Sequence, residues 1–257
     1  MSKNILARNI IIHNYIEQIS NECSKQGIRF ILLKGAALIE LFPEYSFERE
    51  MEDIDVLVEE KFYNKFIDIL QKLGFKQSQT DPNVMYFNDI KIDVTTKLWY
   101  LNKKENTKVI KSAIKLKDNI YVLSPLEMLR NILYHAYIEH NYLDSKWEKD
   151  IEILKKYYRL EFSFKFPKIV DFFLKLNIYH KGHIVKFLFL PWHKRLCHFF
   201  NYIFPSTEFM LKRYNVRFAS FLPFFYLYRV LDLYIKFFNL FTNFLTSYFK
   251  SSLLKIT

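Results

Sequence analysis

The sequence has 257 residues, 51% of them hydrophobic and 25% charged, a balance that excludes wholesale disorder and suits one domain with a large appendage or two small ones. Four glycines and seven prolines exclude collagen-like and low-complexity designs, and two cysteines, Cys23 and Cys197, are too few for a disulfide framework or a cysteine-based zinc site. The net charge of +11 is lopsided: residues 161–257 hold 14 Lys/Arg against only Glu161, Asp171, Glu208 and Asp232, while the first 160 residues are nearly balanced.

Taken in chain order, residues 4–26 carry apolar residues at helical spacing (Ile5, Ile12, Tyr15, Ile16, Ile19) and end before Gly27. Their N-terminal stretch has no continuous apolar run or small-residue cleavage site, so the chain reads as intracellular. Residues 28–33 (IRFILL) are a short apolar run between Gly27 and Gly35 and read as a buried strand; residues 36–42 read as a short helix closed by Pro43. Residues 53–58 (DIDVLV) are a second strand, rich in β-branched residues, and residues 60–73 an amphipathic helix stopped by Gly74. VMYF (84–87) and IKIDVTT (90–96) flank Asn88-Asp89, a two-residue hairpin signature.

The character changes at Ser124. Ser124-Pro125-Leu126-Glu127 has the form of a capping box, and from there the chain reads as successive helices broken near Pro167, Pro191, Pro205 and Pro223. The expected domains are therefore an α/β unit over 1–120 and an all-helical, basic and aromatic-rich region over 121–257. The uncharged stretch Phe237–Phe249 is too short for an ordinary transmembrane helix, though its aromatic face suits a membrane surface as well as a core. A basic, aromatic region of this kind offers contacts to RNA or to an anionic membrane; solvated outer helix faces give the same composition.

Three features of the first hundred residues carry chemistry together. Leu33-Lys34-Gly35-Ala36-Ala37 is a strand running through a glycine into a helix, whose first free N–H groups favour phosphate. Asp53 and Asp55 open a strand and project from one face about 7 Å apart. Two carboxylates so placed call for a cation between them, and hard oxygen ligands suit Mg²⁺. Asp93 sits between Ile92 and Val94 and faces away from both; if its strand lies beside residues 53–58, the three carboxylates share a face, close enough to hold a divalent ion. Such a set is the signature of metal-assisted phosphoryl transfer, with Asp53 and Asp55 as metal ligands and Asp93 as metal ligand and base.

Gly35, then Asp53-x-Asp55, then Asp93 on a later strand resembles the DNA polymerase β-like nucleotidyltransferase superfamily. Within it, Leu33-Lys34-Gly35-Ala36-Ala37-Leu38 and Arg49 followed by Asp53-Ile54-Asp55-Val56-Leu57-Val58 are similar to an uncharacterised bacterial nucleotidyltransferase family, as are His135 after Ser124-Pro125, Trp147-x-x-Asp150-Ile151, and Phe204-Pro205-Ser206 before Arg213-Tyr214. The sequence departs from the pattern at Ala36 (usually Ser), Glu52 (usually small) and Thr95 (often His).

The resemblance implies a mixed-sheet α/β core of the polymerase β type followed by helices. It implies transfer of a nucleoside monophosphate from an NTP to an acceptor hydroxyl with release of pyrophosphate, dependent on Mg²⁺ or Mn²⁺. Lys34, Gly35, Ala36 and Arg49 are the expected nucleotide contacts, with Arg49 also able to pair with Glu52. A small-molecule or glycan-linked acceptor is favoured over an RNA or protein acceptor of toxin type; a non-catalytic nucleotide- or membrane-binding module is the contrasting class. His135 and His140, about 140° apart around an α-helix, make a poor metal pair and read as packed histidines. Asp150 reads as a capping or pairing residue, and both cysteines as core.

Overall fold

The computed structural model describes all residues except 1, 80, 141, 161–164, 176–180, 215–218 and 254–257. The chain divides into two units, Met1–Phe164 and Lys165–Thr257.

In the first unit, α1 (Ser2–Lys25) ends at Gly27, whose φ of 64° is left-handed. Then come β1 (Phe30–Leu32), α2 (Lys34–Leu41), a 3₁₀ turn over Pro43–Phe47, β2 (Asp53–Val58) and α3 (Tyr63–Lys72). The two-residue β3 (Lys76–Gln77) and then β4 (Val84–Phe87) lead into β5 (Ile90–Thr95), with Asn88 at the hairpin tip taking a φ of 50°. The sheet has seven strands in the order β3-β4-β5-β2-β1-β7-β6, where β6 is Ile114–Lys117 and β7 is Ile120–Val122. β1 is antiparallel to β2, whereas β2–β5 and β1–β7 are parallel, so the sheet is mixed as expected.

Register and the period of two assign the faces. Phe30 and Leu32 lie opposite Val58 and Val56, and Ile54 and Val56 lie opposite Ile92 and Val94; all are buried on one face. Phe66 of α3 meets Phe30 with ring centroids 5.7 Å apart, and Tyr15 of α1 meets Phe87 at 5.6 Å, so α1 and α3 cover this apolar face. Asp53, Asp55, Lys91 and Asp93 therefore occupy the other face, where each is only partly covered.

The first unit runs past the expected boundary at residue 120. Val122 lies opposite Leu32 in the sheet, and α5 (Pro125–Tyr134), a π-helical turn (His135–Glu139) and α6 (Ser145–Tyr158) belong to the same unit. The reason is burial: Asp150 of α6 is completely enclosed and hydrogen-bonded to Tyr45 and Arg49, so these helices complete the α/β core. The capping box at Ser124 does not form. Pro125 opens α5, but the Ser124 side chain makes no capping bond, and Glu127 lies 3.6 Å from Arg130 instead. A complete capping box does occur at Asn102 and Glu105, opening α4 (Lys103–Lys111).

The regular elements among the described residues of the second unit are all helical: α7 (Lys168–Lys175), α8 (Lys181–Phe189), α9 (Trp192–Ile203), α10 (Thr207–Tyr214), a 3₁₀ turn over Ala219–Phe221 and α11 (Leu222–Leu253). The prolines mark helix starts, since Pro167, Pro191 and Pro205 precede α7, α9 and α10, and Pro223 sits in the first turn of α11. Arg229 of α11 donates to the Tyr202 carbonyl at 2.7 Å, and Tyr226 to that of Pro205 at 2.6 Å, fastening α11 to the segment before it. Among the described residues, no helix is long and apolar enough to cross a membrane.

Candidate active site

The parallel pairing of β2 and β5 sets Asp55 directly opposite Asp93 and Asp53 opposite Lys91. Side chains at paired positions share a face, so the register alone collects Asp53, Asp55 and Asp93. Two ammonium groups stand among them. Lys34 donates to Asp55 Oδ1 at 2.8 Å, and Lys91 to Asp53 Oδ2 at 3.1 Å. Asp53, Asp55 and Asp93 do not bring one oxygen each to within 4.8 Å of the others, so the carboxylates share a face without closing on a common point. Each lysine draws one carboxylate to itself, which offsets the repulsion expected between bare acids.

The titrations reflect that arrangement. Burial alone would lower the Lys34 ammonium, but Asp55 beside it raises it above its ordinary value; Asp53 does the same for Lys91. Among the described residues no lysine bonds Asp93, and burial together with the neighbouring Asp55 charge raises its carboxyl above the ordinary range. With three carboxylates and two ammonium groups, the set is one positive charge short. All-oxygen donors on one face with an unmet negative charge fit a hard divalent ion such as Mg²⁺ or Mn²⁺.

Lys34 also begins α2, and its φ of 48° is left-handed, an uncommon conformation for a residue with a side chain. No side chain caps α2, so the N–H groups of its first turn, from Lys34, Gly35 and Ala36, have no capping partner. Gly35 has a second purpose that the sequence conceals. A Cβ there would lie 2.8 Å from Met51 Sδ and 3.2 Å from Arg49 Nη2, so the missing side chain makes room for the segment leading into β2.

Arg49 has a different position from the one expected. Its guanidinium forms two bonds to Asp150, Nε to Oδ1 at 2.9 Å and Nη2 to Oδ2 at 3.1 Å, and Nη1 donates to the Glu50 carbonyl at 2.6 Å. Tyr45 donates to the same Asp150 oxygen at 3.0 Å. Arg49 is thus a buried pairing residue behind the Gly35 turn, and its partner is Asp150 rather than Glu52. Glu52 is exposed and receives Lys146 at 3.1 Å. Thr95 accepts from the Lys97 amide and donates to the Lys97 carbonyl, closing the end of β5.

Two residues that the sequence reading passed over belong to the site. Lys91 was legible, since the alternation Lys-Ile-Asp puts it on the face of Asp93. Arg8 was not: from α1 it donates to the carbonyls of Met51, Glu52 and Asp89, pinning the starts of β2 and β5 from 43 residues away and more. His135 and His140 are also closer than an α-helix allows, because the turn between them is π-helical and their rings lie 4.6 Å apart. Cys23 is buried and its thiol is pushed up to about 12 by burial, in keeping with a core residue, whereas Cys197 is exposed.

The uncharacterised nucleotidyltransferase family matches residues 1–165, the entire first unit with the aspartate face in it. The chain belongs to that family. Membership makes this nucleotidyltransferase an enzyme of nucleotidyl transfer with an NTP as co-substrate. No curated protein matches the sequence. Two solved structures are similar: the solution structure of the antibiotic-resistance factor ANT(2'')-Ia, at 12% identity and a TM-score of 0.44 over 77% of this chain and 98% of that one, and the crystal structure of ANT(2'')-Ia in complex with adenylyl-2''-tobramycin, at 11% identity and 0.43 over 68% and 95%.

Proposed function

We propose that the first unit transfers a nucleoside monophosphate from an NTP to a hydroxyl of a small-molecule or glycan-linked acceptor, releasing pyrophosphate. The observation that carries this reading is the register of β2 against β5, which gathers three aspartates on one face beside the uncapped start of α2. Lys34 and the N–H groups of Lys34, Gly35 and Ala36 bind the triphosphate, a positive helix terminus and an ammonium acting on the same anion. Asp53, Asp55 and Asp93 would hold Mg²⁺ or Mn²⁺, which when bound neutralises charge on the phosphates. Asp93 takes the proton of the acceptor hydroxyl. The acceptor oxygen forms its bond to the α-phosphorus as the bond to the β-phosphate oxygen breaks, and pyrophosphate leaves. Arg49 supports the Gly35 turn from behind and touches no nucleotide.

A small acceptor is favoured by charge. The first unit holds 24 Lys/Arg and 24 Asp/Glu, so the unit with the aspartates lacks the basic footprint that a polyanion such as RNA calls for. The test is to incubate the full chain with each labelled NTP, Mg²⁺ and fractionated cell extract, and to follow label and pyrophosphate. Asp55→Asn and Asp93→Asn should each lower turnover by about a hundredfold or more. Full Mg²⁺-dependent transfer by Asp55→Asn would overturn the assignment. A small acceptor should show an acceptor KM that changes little with salt; a steep salt slope would move the acceptor to a polyanion.

A further inference from the structure

The π-helical turn after α5 builds a second cluster of metal-ligating side chains, near enough to Lys34 for Glu139 to act on its charge, with none of the three aspartates among its donors. In an α-helix, positions 135 and 140 would point about 140° apart. The wider turn over His135–Glu139 brings the two imidazoles to 4.6 Å and sets His135 Nδ1 2.6 Å from Glu139 Oε2. One ligand atom from each of His135, Glu139 and His140 lies within 4.8 Å of the others. The Trp147 indole packs against both rings, at 5.2 Å from His135 and 4.7 Å from His140, and so limits where they can turn. π-Turns are uncommon and often accompany functional sites.

We propose that His135, Glu139 and His140 form a binding site for a borderline-soft divalent cation, Zn²⁺ or Co²⁺ in class. Two imidazole nitrogens and one carboxylate oxygen are a donor set such ions take from three protein positions, leaving a fourth for water or another ligand. Glu139 and His140 are exposed, so the open position faces solvent. The aspartate face offers only oxygen and suits Mg²⁺, so the two sites divide divalent ions by donor softness. The inference does not rest on the transfer reaction, because the cation itself is the probe.

The test titrates the full chain with Co²⁺ in excess Mg²⁺, following the visible d–d absorption of bound Co²⁺ and the heat of binding. One equivalent should bind, and His140→Ala and His135→Ala should each weaken binding by about tenfold or more. Asp55→Asn should still bind one equivalent, because Asp55 supplies none of the three donors. His140 is exposed, so its replacement perturbs the site without opening the core. The proposal is overturned if no Co²⁺ binds, if His140→Ala binds as the parent does, or if Asp55→Asn abolishes the signal.

Discussion

Arg49 with Asp150, and Asp53, Asp55 and Asp93 with Lys34 and Lys91, are two charged groups in one unit built to different balances. The first is one cation against one anion, enclosed, with both carboxylate oxygens occupied and Tyr45 added as a further donor. Burial leaves the Asp150 carboxyl above its ordinary range even with Arg49 against it, the mark of a pair held far from water. The second is open on one side, holds three anions against two cations, and leaves Asp93 without a partner of its own. A matched buried pair serves the fold; an unmatched, half-open set keeps capacity for a further cation. Both groups contain an arginine or lysine near Gly35, so only the count and the cover tell them apart.

That contrast can be attacked at each side. The largest effect is expected at the buried pair: Arg49→Ala strands the Asp150 carboxylate and should cost about 3–5 kcal/mol in urea or guanidinium unfolding. A loss below about 1 kcal/mol would mean Asp150 is not truly sealed. Next, Asp55→Asn removes the charge opposite a largely covered Lys34 ammonium and should lower stability by about 1–3 kcal/mol, besides its effect on turnover. A variant more stable than the parent would show that repulsion among the acids outweighs the Lys34 bond.

The smallest effect is at Asp93. Its folded pKa lies above the unfolded one, so its ionised form destabilises the fold above that folded pKa, and the penalty vanishes as pH falls below the ordinary carboxylate range. Asp93→Asn should therefore raise stability at pH 7 in the absence of divalent ions, by less than about 1 kcal/mol given its partial exposure. The gain should fade on acidification. Thermal unfolding of parent and variant across pH 3–8 checks both the sign and its disappearance; a gain that grows towards acid would contradict the raised pKa.

Much of this was readable from local pattern. DIDVLV and IKIDVT announce strands by β-branching, and alternation alone predicts that Asp53, Asp55 and Asp93 turn away from Ile54, Ile92 and Val94. Asn88-Asp89 marks its hairpin by residue type. The hairpin of β6 and β7 had a comparable signal in Asp118-Asn119, where Asp118 takes a φ of 39°, and α4 had one in Asn102-x-x-Glu105. Arg49 was harder to place: it bonds Asp150, 101 residues away on α6, and sequence spacing holds no record of that meeting. The two histidines come together because a π-turn does not keep the 100° per residue that would separate them.

The pairing of Asp55 with Asp93 has a consequence for how the protein comes to be active. Sliding β5 by one residue along β2 would put Asp93 among the side chains of α1 and α3 and turn Ile92 and Val94 out to water. A one-residue slip thus cannot misplace the acids without breaking the core, so against that error folding itself proofreads the chemistry. Chains with the native face buried carry their three carboxylates on the open one, and a preparation's active fraction should track its folded fraction without a separate maturation step.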